Sequence, residues 1–377
     1  MAKQHKLRLT LLIFLIFISL GLPDSIMGSG WPSIRTDFNL QARDISIYTS
    51  VGLVFSIITS YFYPFLTKYL SLKQIITLSI GSVVVGLGII SIVPNALLLF
   101  LAFPFLGMGQ GAIDVAVNIF AAKNFSKRLM SFLHGFYGVG ASLSSMFVAI
   151  FLKTTFGWRG ATLAILICQL AILLLVMLNG KLFAEDRQVA DATQKMAKIV
   201  LNFRHYLGPL FYLFYGIELV VGSFLSTYMK EVHHFSTSES AAMTALFLLS
   251  LTLGRFTNGL ITNRLTEARI LQFQFLCAFA GILLLSIQPA LAAFLIGYGF
   301  SVLFPMMMSM PHQYYEEAIA NRIVNLQMTF ANIGILIMPV LFGFIIQSIG
   351  FQYFPLLLSL NIIILILIVL GIMREKN

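Results

Sequence analysis

The chain has 377 residues, of which 59% are hydrophobic and only 10% charged. An ordinary soluble domain carries about 25% charged residues, so the composition excludes a soluble core and assigns the apolar surface to a bilayer. The formal net charge of +10 does not indicate nucleic acid: no basic stripe is interleaved with aromatics, and multi-pass membrane proteins gather Lys and Arg in cytoplasmic loops.

Hydrophobic runs of spanning length, cut by charges and turn residues, predict helices at 9–35, 44–67, 73–93, 96–122, 129–153 and 158–180. A second set follows at 205–229, 238–262, 268–287, 290–311, 322–347 and 351–372. The fold class is therefore an all-α membrane protein, with twelve transmembrane helices in two pseudo-symmetric six-helix bundles. The bundles are 1–180 and 205–377; the polar stretch 181–204 (Glu185, Asp186, Arg187, Lys195, Lys198) is read as a cytoplasmic linker, with room for a short amphipathic helix. Lys3, Lys6 and Arg8 before an apolar run mimic a signal peptide, but no small-residue cleavage site follows, and the run is read as the first span.

With the N-terminus inside, only Arg35, Arg43, Lys153, Arg159 and Lys230 fall in external loops, and Arg255 falls within the eighth helix. The rest of the 24 basic residues are cytoplasmic, which places both termini in the cytoplasm. Cys168 and Cys277 lie inside apolar spans as packing residues. No metal site is expected.

Charges at membrane depth mark the chemistry. In the first helix Asp24 follows Pro23, which removes a backbone donor. Irregular backbone at that depth is tolerated where it is buried in protein or lines a cavity; an Asp that merely caps the break is the alternative. In the fourth helix Gln110, Asp114 and Asn118 are spaced i, i+4, i+8 and share a face. Gly107 and Gly111 beside them have the small-xxx-small spacing that lets another helix approach. A carboxylate in such a position costs roughly 2.5–3.5 kcal/mol to insert, so it faces a bundle interior or a wet cavity. A packing motif with an internally paired Asp is the competing reading.

The fifth helix carries His134 with Tyr137 nearby, the seventh Tyr215 and Glu218, and the eleventh Asn325, Gln327 and Asn332 without a carboxylate. Proton coupling is assigned to Asp24, Asp114 and Glu218, with an external gate contact competing at Glu218. Substrate binding is assigned to Gln110, Asp114, Asn118, His134, Tyr137, Tyr215, Gln327 and Asn332, because amides and carboxylates pair the donors and acceptors of hydroxyls. Arg255 is expected to be satisfied by polar neighbours or the cytoplasmic interface.

The halves echo each other. Asp24 to Gly28 answers Glu218 to Gly222, Gly107-Met108-Gly109 answers Gly297-Tyr298-Gly299, Arg128 answers Arg322, and Gly140 answers Gly334. A near-constant offset is the mark of parallel repeats.

At Asp24 through Gly28, Trp31-Pro32, Gly109-x-Gly111-x-x-Asp114-x-x-x-Asn118, His134 to Ala141 and Tyr215-Gly216-x-Glu218-x-x-x-Gly222 with Tyr228, the sequence resembles the major facilitator superfamily. Within it, the chain is similar to the fucose/galactose/glucose–proton symporters. Asp114 stands where fucose permease has Glu, and His134 where it has Gln. The loop motif between the second and third helices is degraded to Lys68 and Lys73, and the fifth-helix antiporter signature is replaced by Gly140-Ala141-Ser142. The resemblance implies two six-helix bundles, alternating access and proton-coupled import of a monosaccharide by a monomer in the cell membrane, the bacterial inner membrane. It implies no cofactor beyond the proton as coupling ion, with a small-molecule sugar and the lipid bilayer as partners. A proton-driven exporter of drugs or amphiphiles is the alternative within transport. An integral membrane enzyme is the alternative outside it, with no nucleophile elbow or phosphate loop to favour it.

Overall fold

The computed structural model describes residues 2–125, 127–183, 202–261 and 265–374. The first half contributes α1 (Ala2–Gly21), α2 (Ser25–Asp37), α3 (Asp44–Tyr69), α4 (Leu72–Ile92), α5 (Ala96–Asn124), α6 (Lys127–Phe151) and α7 (Gly157–Leu178). The second contributes α8 (Leu207–Tyr215), α9 (Ile217–His233), α10 (Thr237–Ile261), α11 (Glu267–Leu284) and α12 (Pro289–Phe300). It continues with α13 (Leu303–Ser309), α14 (Pro311–Tyr314), α15 (Glu317–Ile349) and α16 (Phe354–Met373). Among the described residues, 11 helical stretches are long and apolar enough to cross a membrane, and Gly135–Phe151 is a shorter apolar one. This is a multi-pass, all-α membrane protein.

Two compact units form, Met1–Ala192 with Ser236–Ala245, and Thr193–Phe235 with Leu246–Asn377. The first turns of α10 group with the first unit because Ser238 Oγ donates to the Ala149 carbonyl at 2.6 Å and Ala241 packs on Val148, Ala149 and Ala161. Most of the expected linker, 184–201, lies outside the described residues.

Three spans expected as single helices are interrupted. The first breaks at 22–24, the seventh at Gly216, and the tenth at Ser301 and Val302. Proline accounts for two of these, because it cannot donate to the carbonyl four residues earlier. Pro23 orphans the Ser19 carbonyl, which accepts from Gln169 Nε2 at 2.6 Å, while Ser19 Oγ donates to Gln169 Oε1 at 2.6 Å. Pro305 orphans the Ser301 carbonyl, which accepts from Arg255 Nε at 3.3 Å. Buried backbone groups need partners, and each break recruits one from a neighbouring helix. The eleventh span also begins earlier than expected, at Glu317 rather than 322. Its first turn is polar (Glu317, Asn321), so hydropathy alone starts it late.

The repeat is visible in how helices cross. A Cβ on Gly21 would run into the Tyr137 carbonyl oxygen, and one on Gly140 into that of Ile18, so α1 and α6 touch backbone to backbone. In the second unit a Cβ on Gly216 would meet the Gly334 carbonyl oxygen, and one on Gly334 that of Leu213. Only glycine permits such an approach. Gly107 against Gly52 and Gly297 against Phe247 repeat the relation for the fourth and tenth spans.

Candidate functional site

In the first unit the break between α1 and α2 delivers Asp24 to a crevice shared with α5 and α6. Asp24 and Asp114 are both exposed, although each lies well inside its span. That combination is the signature of a crevice wall. Gln110 Nε2 donates to Asp24 Oδ1 and the Tyr137 hydroxyl to Asp24 Oδ2, so each carboxylate oxygen has one donor, from a different helix. Asp114 stands one turn along α5 and is near enough for its charge to act on Asp24. Its Oδ1 accepts from Asn118 Nδ2 at 2.8 Å, which also reaches the Asp114 carbonyl at 2.9 Å.

The cluster therefore holds two carboxylates, two amides and a phenol, with no cation among the groups placed there. Around it the packing is tight. Phe14 stacks on Phe136 at 4.4 Å between ring centroids, and Ser29 Oγ meets Ser145 Oγ at 2.9 Å between α2 and α6. At the far end of α2, Asp37 accepts from Trp158 Nε1 at 2.8 Å and Arg159 Nη1 at 3.0 Å. The Arg159 guanidinium lies over the Trp158 ring at 4.3 Å, which pins α2 to α7.

The second unit has its own polar cluster. Glu218 follows the Gly216 break, and its Oε2 accepts from the Tyr215 hydroxyl at 2.5 Å. The same hydroxyl lies 2.8 Å from the Phe300 carbonyl oxygen at the end of α12. Arg255 Nη2 is 3.7 Å from Glu218 Oε1. The membrane-depth arginine thus has its polar neighbours within the second unit, the Ser301 carbonyl and Glu218.

Of the residues singled out from the sequence, Asp24, Gln110 and Tyr137 are bonded together, Asp114 pairs with Asn118, and Tyr215 pairs with Glu218. Gln327 lies elsewhere in the second unit. It is 1% exposed, donates to the Met307 carbonyl at 3.3 Å, and lines a small cavity with Arg204, His205 and Tyr314. Asn332 is exposed on α15, and the side chain of His134 is outside the described residues. Two contributors went unread. Gln169, a lone amide in an apolar helix, is demanded by the carbonyl that Pro23 orphans. The Ser301 carbonyl is signalled by Pro305.

Comparison with known proteins matches this architecture. The family model described as Major Facilitator Superfamily matches residues 11–320 and 207–377. A probable nitrate transporter, NarT of Staphylococcus haemolyticus, is 22% identical over 72% of this chain and 71% of its own length. Bypass of stop codon protein 6 of Saccharomyces cerevisiae is 22% identical over 91% of this chain and 78% of its own length. The crystal structure of a point mutant of the nucleoside transporter NupG superposes with a TM-score of 0.77 at 13% identity, covering 97% of this chain and 99% of that one. A bacterial homologue of the lysosomal transporter Spinster gives 0.71 at 13% identity, covering 98% and 96%. The chain belongs to the Major Facilitator Superfamily and is a secondary transporter.

Proposed function

We propose that the chain is a proton-coupled symporter that imports a monosaccharide or similar small polar solute by alternating access, in the manner of the fucose permease-like symporters. The observation that carries the reading is the first-unit crevice, where Asp24 is held by Gln110 and Tyr137 one turn from the Asp114–Asn118 pair. Such a set offers paired donors and acceptors to hydroxyl groups. It also holds carboxylates with no Lys or Arg partner among the described residues, whose charge a proton can cancel. The relatives' names range from nitrate to nucleosides. A crevice carrying two carboxylates repels a small anion and suits a neutral polyol better.

In this scheme Asp24 carries the proton, and Asp114 with Gln110, Asn118 and Tyr137 holds the solute. His134, Tyr215, Gln327 and Asn332 are secondary candidates for binding, and Glu218 for coupling. The proton is the only coupling ion, and the protein acts as a monomer in the bacterial plasma membrane with both termini in the cytoplasm. The test is a panel of sugars added to de-energised cells expressing the chain. Uptake accompanied by alkalinisation of the medium supports the reading. Proton-linked movement of amphiphiles outward, with no sugar producing alkalinisation, overturns it in favour of the exporter.

A further inference from the structure

Pro311, at the start of α14, cannot donate to the carbonyl four residues earlier, so it orphans the Met307 carbonyl as Pro23 orphans that of Ser19. Gln327 of α15 answers it: Nε2 donates to the Met307 carbonyl at 3.3 Å. The amide is wedged in place, because a Cβ on Gly208 of α8 would stand 2.6 Å from the same Nε2. The carbonyl also fixes which way round the amide sits. Its oxygen has to point away from Met307, since neither oxygen can donate to the other.

That oxygen is unserved. Gln327 is 1% exposed, and its Oε1 has no hydrogen-bond partner among the described residues. A buried acceptor left so costs about 1–3 kcal/mol. In the first unit the corresponding amide, Gln169, meets both demands with protein groups. Its Nε2 donates to the Ser19 carbonyl, and its Oε1 accepts from the Ser19 hydroxyl. In the second unit the residue with the orphaned carbonyl is a methionine, which has no hydroxyl to offer in return.

Gln327 lines a cavity with room of about 20 Å³ for a water-sized sphere, and one water occupies about 10–15 Å³ of such space. A buried water also needs two or more polar partners. Gln327 Oε1 is one. Among the other lining side chains, His205 and Tyr314 can donate to the water's own oxygen. His205 Nδ1 accepts the Asn202 backbone N–H at 2.9 Å, so the neutral ring carries its proton on Nε2.

We propose that this cavity is a binding site for a single ordered water, which donates to Gln327 Oε1 and stands in for the hydroxyl that Ser19 supplies to Gln169. Through it the entry to α8, at His205, is tied to α15 beside the joint that Pro311 makes. The site lies wholly in the second unit, and the inference goes beyond the monosaccharide reading without resting on it.

The test is hydroxyl-radical footprinting of the full-length purified protein in detergent. A brief X-ray pulse makes radicals from water, and mass spectrometry reads which side chains are oxidised. Met307 and Met310 line the cavity and are 0% and 2% exposed, whereas Met229, also 0% exposed, lies outside it. A water held in the cavity should make Met307 or Met310 oxidise several-fold faster than Met229. Gln327→Leu removes the acceptor and should bring both methionines down to the Met229 rate. Oxidation of Met307 and Met310 no faster than that of Met229, or fast oxidation that persists in Gln327→Leu, would overturn the proposal. Should Gln327→Leu fail to fold, a structure of the unmodified protein at a resolution that shows water decides alone. Density within about 3 Å of Gln327 Oε1 supports the site, and none at that place overturns it.

Discussion

Replacing Asp24 by Asn separates charge from shape at the centre of the first-unit crevice. The ionised carboxylate receives two donors, Gln110 Nε2 and the Tyr137 hydroxyl. Hydrogen bonds to a charged group are worth about 1.5–3 kcal/mol each, against about 1 kcal/mol for neutral ones. An Asn retains one acceptor, which Tyr137 keeps. Its NH2 then faces the NH2 of Gln110, but Gln110 can rotate its amide and offer the oxygen instead. The substitution therefore weakens two bonds by roughly 0.5–2 kcal/mol each, while relieving the roughly 2.5–3.5 kcal/mol cost of a carboxylate at membrane depth. The two effects are of similar size, so the variant should fold and melt close to the parent. Coupling is another matter. Each pH unit across the membrane stores about 1.4 kcal/mol per proton, a tenfold accumulation. In proteoliposomes with a two-unit gradient, the unmodified chain should concentrate its sugar up to about 100-fold per proton carried, and Asp24→Asn should reach only equal concentrations on both sides. Counterflow exchange, which needs no net proton movement, should survive. Accumulation by Asp24→Asn to the parent's level would refute the assignment, because the proposed carrier could no longer bind a proton.

Three further outcomes follow from the same geometry. Asp114→Asn should weaken solute binding itself, and Asn118→Ala should weaken it less, since Asn118 reaches the site through Asp114; equal losses in a binding isotherm would contradict that order. Gly140→Val should destabilise the first unit by about 1–3 kcal/mol, because its Cβ would enter the Ile18 carbonyl and neither backbone can yield cheaply; an unchanged unfolding temperature would show that α1 and α6 do not cross so closely. Asp37→Ala should cost about 1 kcal/mol by leaving the Trp158 indole N–H without its acceptor. Most of that loss should persist at high salt, since the Arg159 pair is exposed and contributes little.

The span positions were legible because hydropathy reports the one thing a bilayer demands of every crossing segment, and the repeat was legible because close helix crossings demand glycine at matching places. The first break was legible from Pro23. The tenth-span break was not, although Pro305 signals it in the same way, because the run from Leu303 to Met310 is apolar enough to read as continuous helix. The crevice was partly legible: i, i+4 spacing put Gln110, Asp114 and Asn118 on one face. That Gln110 reaches across to Asp24 depends on how α1 crosses α5, which no local pattern encodes. The pairing of Glu218 with Arg255 was hidden for the same reason, and spacing along one helix could not have linked them.

The two proline breaks pose the same physical problem, and the chain solves it differently in each half. In the first unit the orphaned Ser19 carbonyl is met by Gln169, a neutral amide that returns the favour by accepting from the Ser19 hydroxyl. The junction is closed with no net charge. In the second unit the orphaned Ser301 carbonyl is met by Arg255, which brings a full positive charge to membrane depth. That charge needs a counter-ion, and Glu218 stands beside it. Asp24 has neutral donors and no Lys or Arg partner among the described residues. A carboxylate so placed can shed its charge only by taking up a proton, whereas Glu218 has the Arg255 guanidinium beside it to balance its charge. The choice of Gln in one half and Arg in the other thus leaves one carboxylate among neutral donors and sets the other beside a cation.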